Sequence, residues 1–154
     1  MCYALKGNYT RYKAIKAAQY VRLASLNNEL WTAAMVAQIQ RQKYFRWHDA
    51  GDVQDLKHLA KIFEVCRRTP AVKHWMPTRE AWTKRWIDRA PSNLVIRFSG
   101  TMIDQPAVKS WPHTSTVSTV PGSRTCPAPD QGGQCKDCRN CWNKEIKNIQ
   151  YGKH

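Results

Sequence analysis

Three short stretches rich in aromatic and β-branched residues recur along the chain, each separated from the next by a segment of helical periodicity. They are KYFRWHDAGD (43–52), AVKHWMPT (71–78) and NLVIRFSG (93–100). Strands joined through helices cannot pair as hairpins. They need crossover connections, which lay the strands parallel, so the alternation predicts an α/β fold built on a small, partly parallel sheet flanked by helices. A further apolar and threonine-rich stretch, Ser115 to Val120, is expected to add a strand.

The helical segments are legible from spacing. From Arg11 to about Gln42, the residues Tyr12, Ile15, Ala18, Leu23 and Leu26 fall on one face. Asn27 and Asn28 interrupt that run and are suited to cap a second helix carrying Leu30, Trp31, Ala34, Met35 and Ile39, spread widely enough to imply burial on several sides. Asp52 is expected to cap a helix with Val53, Leu56, Ala60, Phe63 and Cys66 on its apolar face, ended by Thr69-Pro70. Cys66 then reads as a small buried hydrophobe. TREAWTKRWIDRA (78–90) has helical character, and a short helix is expected from about Asn143 to Ile149.

At 154 residues the chain suits a single domain of about 100 to 200 residues. Residues 1–120 form the expected α/β body, and 121–154 a cysteine-rich, metal-binding tail packed as part of the same domain. Neither a secretion signal nor a run of about 20 apolar residues is present, so a soluble protein of the cytoplasm without membrane contact is expected. Lys and Arg total 25 against 11 acidic residues, a formal charge of +14 that exceeds the roughly 2 to 8 solubility requires. That excess points to a polyanionic partner, nucleic acid first, since neutralising phosphates releases counterions.

The tail carries Cys126-x8-Cys135-x2-Cys138-x2-Cys141, with Gly132 and Gly133 permitting a sharp reversal that returns Cys126 to the other three. In a reducing compartment such clustering reads as metal ligation before disulfide bonding. Four thiolates suit a tetrahedral Zn ion, and the consecutive Cys-x2-Cys-x2-Cys spacing equally suits a 4Fe-4S cluster. Both remain open.

Two further sets of residues invite chemistry. Ligands bind beyond the C-terminal ends of parallel strands, which selects His48, Asp49 and Asp52 after the first strand, Thr78, Arg79 and Glu80 after the second, and Ser99 after the third. Of these, His48 and Asp49 are candidate acid-base or ligand groups, and Arg79 a clamp for phosphate or carboxylate. Cations interleaved with rings form the other set: Lys84, Arg85 and Arg89 beside Trp82 and Trp86, and Lys136, Arg139, Lys144 and Lys147 beside Trp142. Such mixtures pair with phosphates and stack on bases.

CYALKGNY (2–9), FRWHDAGDV (45–53), HWMPTREAW (74–82) and CPAPDQGGQCKDCRNCW (126–142), in that order, resemble the phage gene product eighty-eight family over nearly the whole chain. The resemblance implies a phage origin and a partial β/α barrel of the kind seen in radical S-adenosylmethionine proteins, where a Cys-x3-Cys-x2-Cys loop precedes a Tyr-Ala segment and holds a catalytic cluster. Here Cys2-Tyr3-Ala4 matches only the tail of that loop. The expectation is therefore a chain begun at an internal methionine or one that has lost this chemistry.

Three functions follow as expectations. The first is a phage-encoded, metal-stabilised basic protein that binds nucleic acid in the infected cell. The second is an inhibitor of a host nucleic-acid-guided defence complex, placing its cations where nucleic acid should sit. The third is an enzyme, either a degenerate radical-type protein with a 4Fe-4S centre or a nuclease-like protein using His48 and Asp49.

Overall fold

The computed structural model describes residues 11–48 and 51–153. Asp49 and the segment containing Cys2 lie outside the described residues. Five strands form one sheet in the order β1-β2-β3-β4-β5: β1 (Tyr44–Arg46), β2 (Lys73–Thr78), β3 (Leu94–Ile103), β4 (Thr114–Ser118) and β5 (Asn148–Gly152). Every neighbouring pair is parallel, so the sheet is parallel throughout rather than in part. Strands added sequentially in one direction are the walk of a β/α barrel, and five of them make a curled half-barrel.

Register divides the side chains cleanly between two faces. His74, Met76 and Thr78 of β2 stand beside Leu94, Ile96 and Phe98 of β3, while Trp75 and Pro77 stand beside Val95 and Arg97. The helices are α1 (Lys13–Ser25), α2 (Trp31–Ile39) and α3 (Leu56–Arg68), and the main core on the first face takes Leu59, Ile62, Phe63, Val65 and Cys66 from α3, Ile39 from α2 and no residue from α1. Phe98 and Trp111 stack there with ring centres 4.6 Å apart. Burial pushes the Cys66 thiol up to about 12, consistent with a packing role.

The β2–β3 connection is a 3-10 helix, Ala81–Arg89, not an α-helix. Its start is tightened by Thr83, which donates to the Glu80 carbonyl through both its amide (3.1 Å) and its hydroxyl (2.8 Å). The cap of α3 is Asp55, whose carboxylate accepts from the His58 amide at 2.7 Å; Asp52 lies too far upstream for that task. Asn28 shapes the α1–α2 corner by accepting from the Leu30 amide at 2.8 Å, and Lys61 of α3 donates to the carbonyls of Leu26 and Asn28 there.

Two expectations of burial are not met among the described residues. No residue of α1 is buried, and Tyr12 and Leu23 are 49% and 48% exposed. In α2 only Ile39 is buried, with Trp31, Met35 and Val36 half-covered, because the helix rests one side on α3 and on Trp47 and leaves the other side open.

The second face of the sheet is covered by the long β4–β5 connection. Trp75, Cys141 and Ile149 form a separate core there, joined by Cys126, Trp142, Ile146 and Tyr151. The short helix expected at Asn143–Ile149 is absent. Asn140–Trp142 forms one 3-10 turn, and Asn148–Gly152 pairs with β4 as the fifth strand. Alternation of Ile149 and Tyr151 on one face is a period of two, which a helix would scatter.

Candidate functional site

The β4–β5 connection is held to the sheet by Arg97, which lies midway along β3 and is fully buried. Its Nε donates to the Cys141 carbonyl at 2.9 Å, and its Nη atoms reach the carbonyls of Asn143 (2.7 Å), Ile146 (2.8 Å), Asn140 (3.1 Å) and Lys147 (3.5 Å). Beside it, Cys141 Sγ lies 3.3 Å from the Tyr151 hydroxyl. Burial raises the Cys141 thiol, and the neighbouring Cys126 and Cys135 add to this; the Tyr151 hydroxyl and the Arg97 guanidinium oppose it. Tyr151 is pushed far above its ordinary range, chiefly by burial, so its phenol stays neutral. Arg46 sits over the Trp75 ring at 5.0 Å, closing this neighbourhood from the β1 side.

The four cysteines are not gathered into a ligand set as folded here. Among the described residues no group of three or more His, Cys, Asp or Glu side chains stands where it could hold a metal ion. Cys126 and Cys141 pack against Trp75 and Ile149, whereas Cys135 and Cys138 belong to an outer turn closed by the Cys138 amide on the Cys135 carbonyl at 2.8 Å. Gly132 and Gly133, just before that turn, both have positive φ, as does Lys136 within it.

The cations named from the sequence divide in two. A groove of about 480 Å³ is lined by Lys84, Lys109, Trp111 and Lys147, with Asp88. A neighbouring groove of about 600 Å³ is lined by Tyr44, Lys73, Arg139, Trp142 and Lys144, with Glu145. Both open at the N-terminal ends of the strands: Tyr44 and Lys73 begin β1 and β2, Trp111 precedes β4, and Lys147 precedes β5. Arg85, Arg89 and Lys136 are exposed but line neither groove, and Arg89 lies over Trp86 at 4.9 Å. Arg139 lies over the Tyr44 ring at 5.0 Å and donates to the carbonyls of Lys136 and Cys138. Trp142 is half-buried, donating to the Phe45 carbonyl at 3.0 Å and meeting Tyr44 and Trp75 edge to face.

Sequence reasoning missed Tyr44, Lys73 and Lys109. The signal was their position at or just before a strand, on the rim opposite the one searched.

At the C-terminal rim, Asp52 ties the segment that follows β1 to the end of β2. Its Oδ1 accepts from the Val53 amide and the Thr78 hydroxyl, both at 2.7 Å, and its Oδ2 from the Arg79 amide at 2.6 Å. The Arg79 guanidinium donates to the Thr101 carbonyl at 3.0 Å, and Glu80 accepts from the Trp82 indole at 3.0 Å. Ser99 does not follow its strand as expected: β3 runs on to Ile103, so Ser99 lies within the sheet, meeting Ser115 of β4 at 3.3 Å. His48 has φ 65° and both ring nitrogens buried without a partner among the described residues. Its ring lies 5.3 Å from that of His58, which spacing did not reveal as a neighbour. Burial first, then His58, lowers His48 to about 4 against the pull of Asp52, leaving a neutral imidazole.

A family model described as Gene product 88 matches residues 1–144. No curated protein and no solved structure matches the chain.

Proposed function

We propose that this chain, which belongs to the Gene product 88 family, is a phage protein that binds nucleic acid through the cationic N-terminal rim of its sheet in the cytoplasm of the infected cell. One observation supports this most: Lys84, Lys109 and Lys147 share one groove, Lys73, Arg139 and Lys144 the next, and only Asp88 and Glu145 oppose them there. The segments that bring these six cations together are far apart in sequence. A surface so charged gains affinity by releasing the counterions of a phosphate chain, and Tyr44 with its Arg139 neighbour offers a flat partner for a base. No helix among the described residues is long and apolar enough to cross a membrane.

The test is fluorescence anisotropy with labelled single-stranded and duplex oligonucleotides over a range of salt. The double variant Lys144→Glu with Lys147→Glu is expected to weaken binding tenfold or more and to flatten the salt slope by about 2, at about 0.9 per phosphate contact. Arg85→Glu, outside both grooves, should change little. No binding at low salt, with capture of a host nucleic-acid-guided complex instead, would favour the inhibitor reading.

The same reading gives Cys126, Cys135, Cys138 and Cys141 a Zn ion or a 4Fe-4S cluster. Four thiols are the soft donors both take. Further support comes from the surroundings: the Trp75 indole N–H is buried in the core that contains Cys141 and has no acceptor among the described residues. Tyr151, its hydroxyl 3.3 Å from Cys141 Sγ, adds a second polar neighbour and Arg97 a positive charge. When bound, the metal would supply the folding free energy that fastens this connection to the sheet. Elemental analysis of reduced, full-length protein should find zinc, or iron with a brown colour; finding neither sinks this part.

A further inference from the structure

The two cationic grooves at the N-terminal rim form one track, because the same two chain segments, 87–93 and 143–147, border both. Asp88 and Lys147 wall the first groove, and Asn93 and Lys144 the second. His113, next to Pro112 of the first groove, donates from Nε2 to the Lys144 carbonyl at 2.8 Å and holds the two together. Within this track one cation differs from the rest. Lys73, Lys84, Lys109, Lys144 and Lys147 are exposed, whereas Arg139 is half-buried, lies over the Tyr44 ring at 5.0 Å and donates to the carbonyls of Lys136 and Cys138. A guanidinium stacked on a ring and tied at one edge has little freedom left, so it presents a fixed, flat surface. Trp142 meets the same ring edge to face at 5.5 Å and steadies it from the groove wall.

We propose that the ligand of this track is an unpaired polynucleotide strand, one base of which stacks on the platform of Arg139 and Tyr44 while the backbone follows the lysines. This rests on the nucleic-acid reading above. A duplex keeps its base faces inside its own stack, and reading it from outside takes an element that enters a groove of the nucleic acid. Here the flat groups and the cations line recesses in the protein instead. An unpaired strand can turn its bases into such a recess and leave its phosphates at the edge, where the exposed lysines stand. Charge alone favours the opposite choice, since a duplex is the denser polyanion and releases more counterions per phosphate neutralised. A preference for the single strand therefore reports contact with the bases.

Full-length protein is titrated by fluorescence anisotropy into a labelled thymidine oligonucleotide, an abasic strand of the same length, and the thymidine strand annealed to its complement, all at one salt concentration. The abasic strand has the phosphates without the bases. Wild type is expected to bind the thymidine strand at least about fivefold more tightly than the abasic one, as one stacked base supplies, and more tightly than the duplex. Arg139→Lys keeps the charge and loses the plane, so it should close the gap between thymidine and abasic strands while leaving the salt slope unchanged. Tyr44→Phe keeps the ring and should retain the gap; Tyr44→Leu should lose it. Equal binding of thymidine and abasic strands by wild type would overturn the proposal, as would a duplex bound equally well or better, or a gap that persists in Arg139→Lys. If Arg139→Lys fails to fold, the two Tyr44 variants and the wild-type comparisons decide. A uridine oligonucleotide in a parallel titration distinguishes RNA from DNA, and a gap over the abasic strand with either supports the proposal. Wild type that binds none of these strands at low salt defeats the nucleic-acid reading itself, a result distinct from any ranking among them.

Discussion

Single hydrogen atoms decide how the buried histidines behave. Thr69 has one hydroxyl proton, and it goes to the Val65 carbonyl at 2.7 Å; His74 Nε2, 2.9 Å from the same oxygen, must therefore donate. That leaves His74 Nδ1 bare in the core, where a second proton would bring an unpaired charge, and burial lowers this histidine to about 4. His48 is lowered to about 4 as well, with His58, Asp52 and Arg46 acting on it. Because the folded values lie below the unfolded 6.5, the unfolded chain binds more protons between them. Stability is thus fully present above about 6.5 and declines as pH falls toward about 4. Urea midpoints at neutral and mildly acid pH should show this decline, and His74→Gln or His48→Asn, the latter tolerant of positive φ, should lessen it. An unaltered pH slope in both variants would count against the account. None of this was legible in the sequence, where His48 drew notice by its place after a strand and His58 and His74 drew none.

Helices and strands were read with mixed success, and the failures share a cause. The break between α1 and α2, the apolar face of α3 and the strand cores at 73–78 and 94–100 follow from periodicity and turn residues, which act locally. Asp52 and Asp55 are equally good caps by type; only the approach of Thr78 and Arg79 from β2 assigns Asp52 to the strand ends. Removing the Asp55 carboxylate as Asp55→Ala should cost about 1 kcal/mol in chemical denaturation. Asp52→Ala, which orphans the Val53 amide, the Thr78 hydroxyl and the Arg79 amide, should cost more than Asp55→Ala; the reverse order would reject the assignment. The β4–β5 connection departs furthest from expectation. Three connections pack over one face and this one over the other, so with strands laid down in one direction its hand is the reverse of theirs. Parallel connections seldom take both hands, which gives a reason for the density of bonds from Arg97 to this segment. Asn93 performs a similar service elsewhere, its amide donating to the carbonyls of Cys66, Thr69 and Val72.

At the scale of the molecule, a formal charge of +14 acts against compactness, and the two ion pairs among the described residues are both exposed. Raising sodium chloride from low to moderate concentration should therefore increase the melting temperature, since screening relieves repulsion and has little pairing to weaken. A melting temperature that falls with salt would show that pairing dominates. The same charge, uniform on paper, is distributed by the fold into two adjoining grooves at one end of the sheet. Composition and local spacing by themselves determined the α/β class, the parallel connection of strands and the presence of a large cationic surplus, because each depends on residue type or on neighbours within one element. Which rim gathers the lysines, that the cysteine segment ends in a strand, and that Arg97 meets Cys141 across more than forty residues were decided by tertiary structure alone. Those outcomes depend on register and on which face a connection crosses, and both are fixed by packing between segments that carry no signal of each other in the chain.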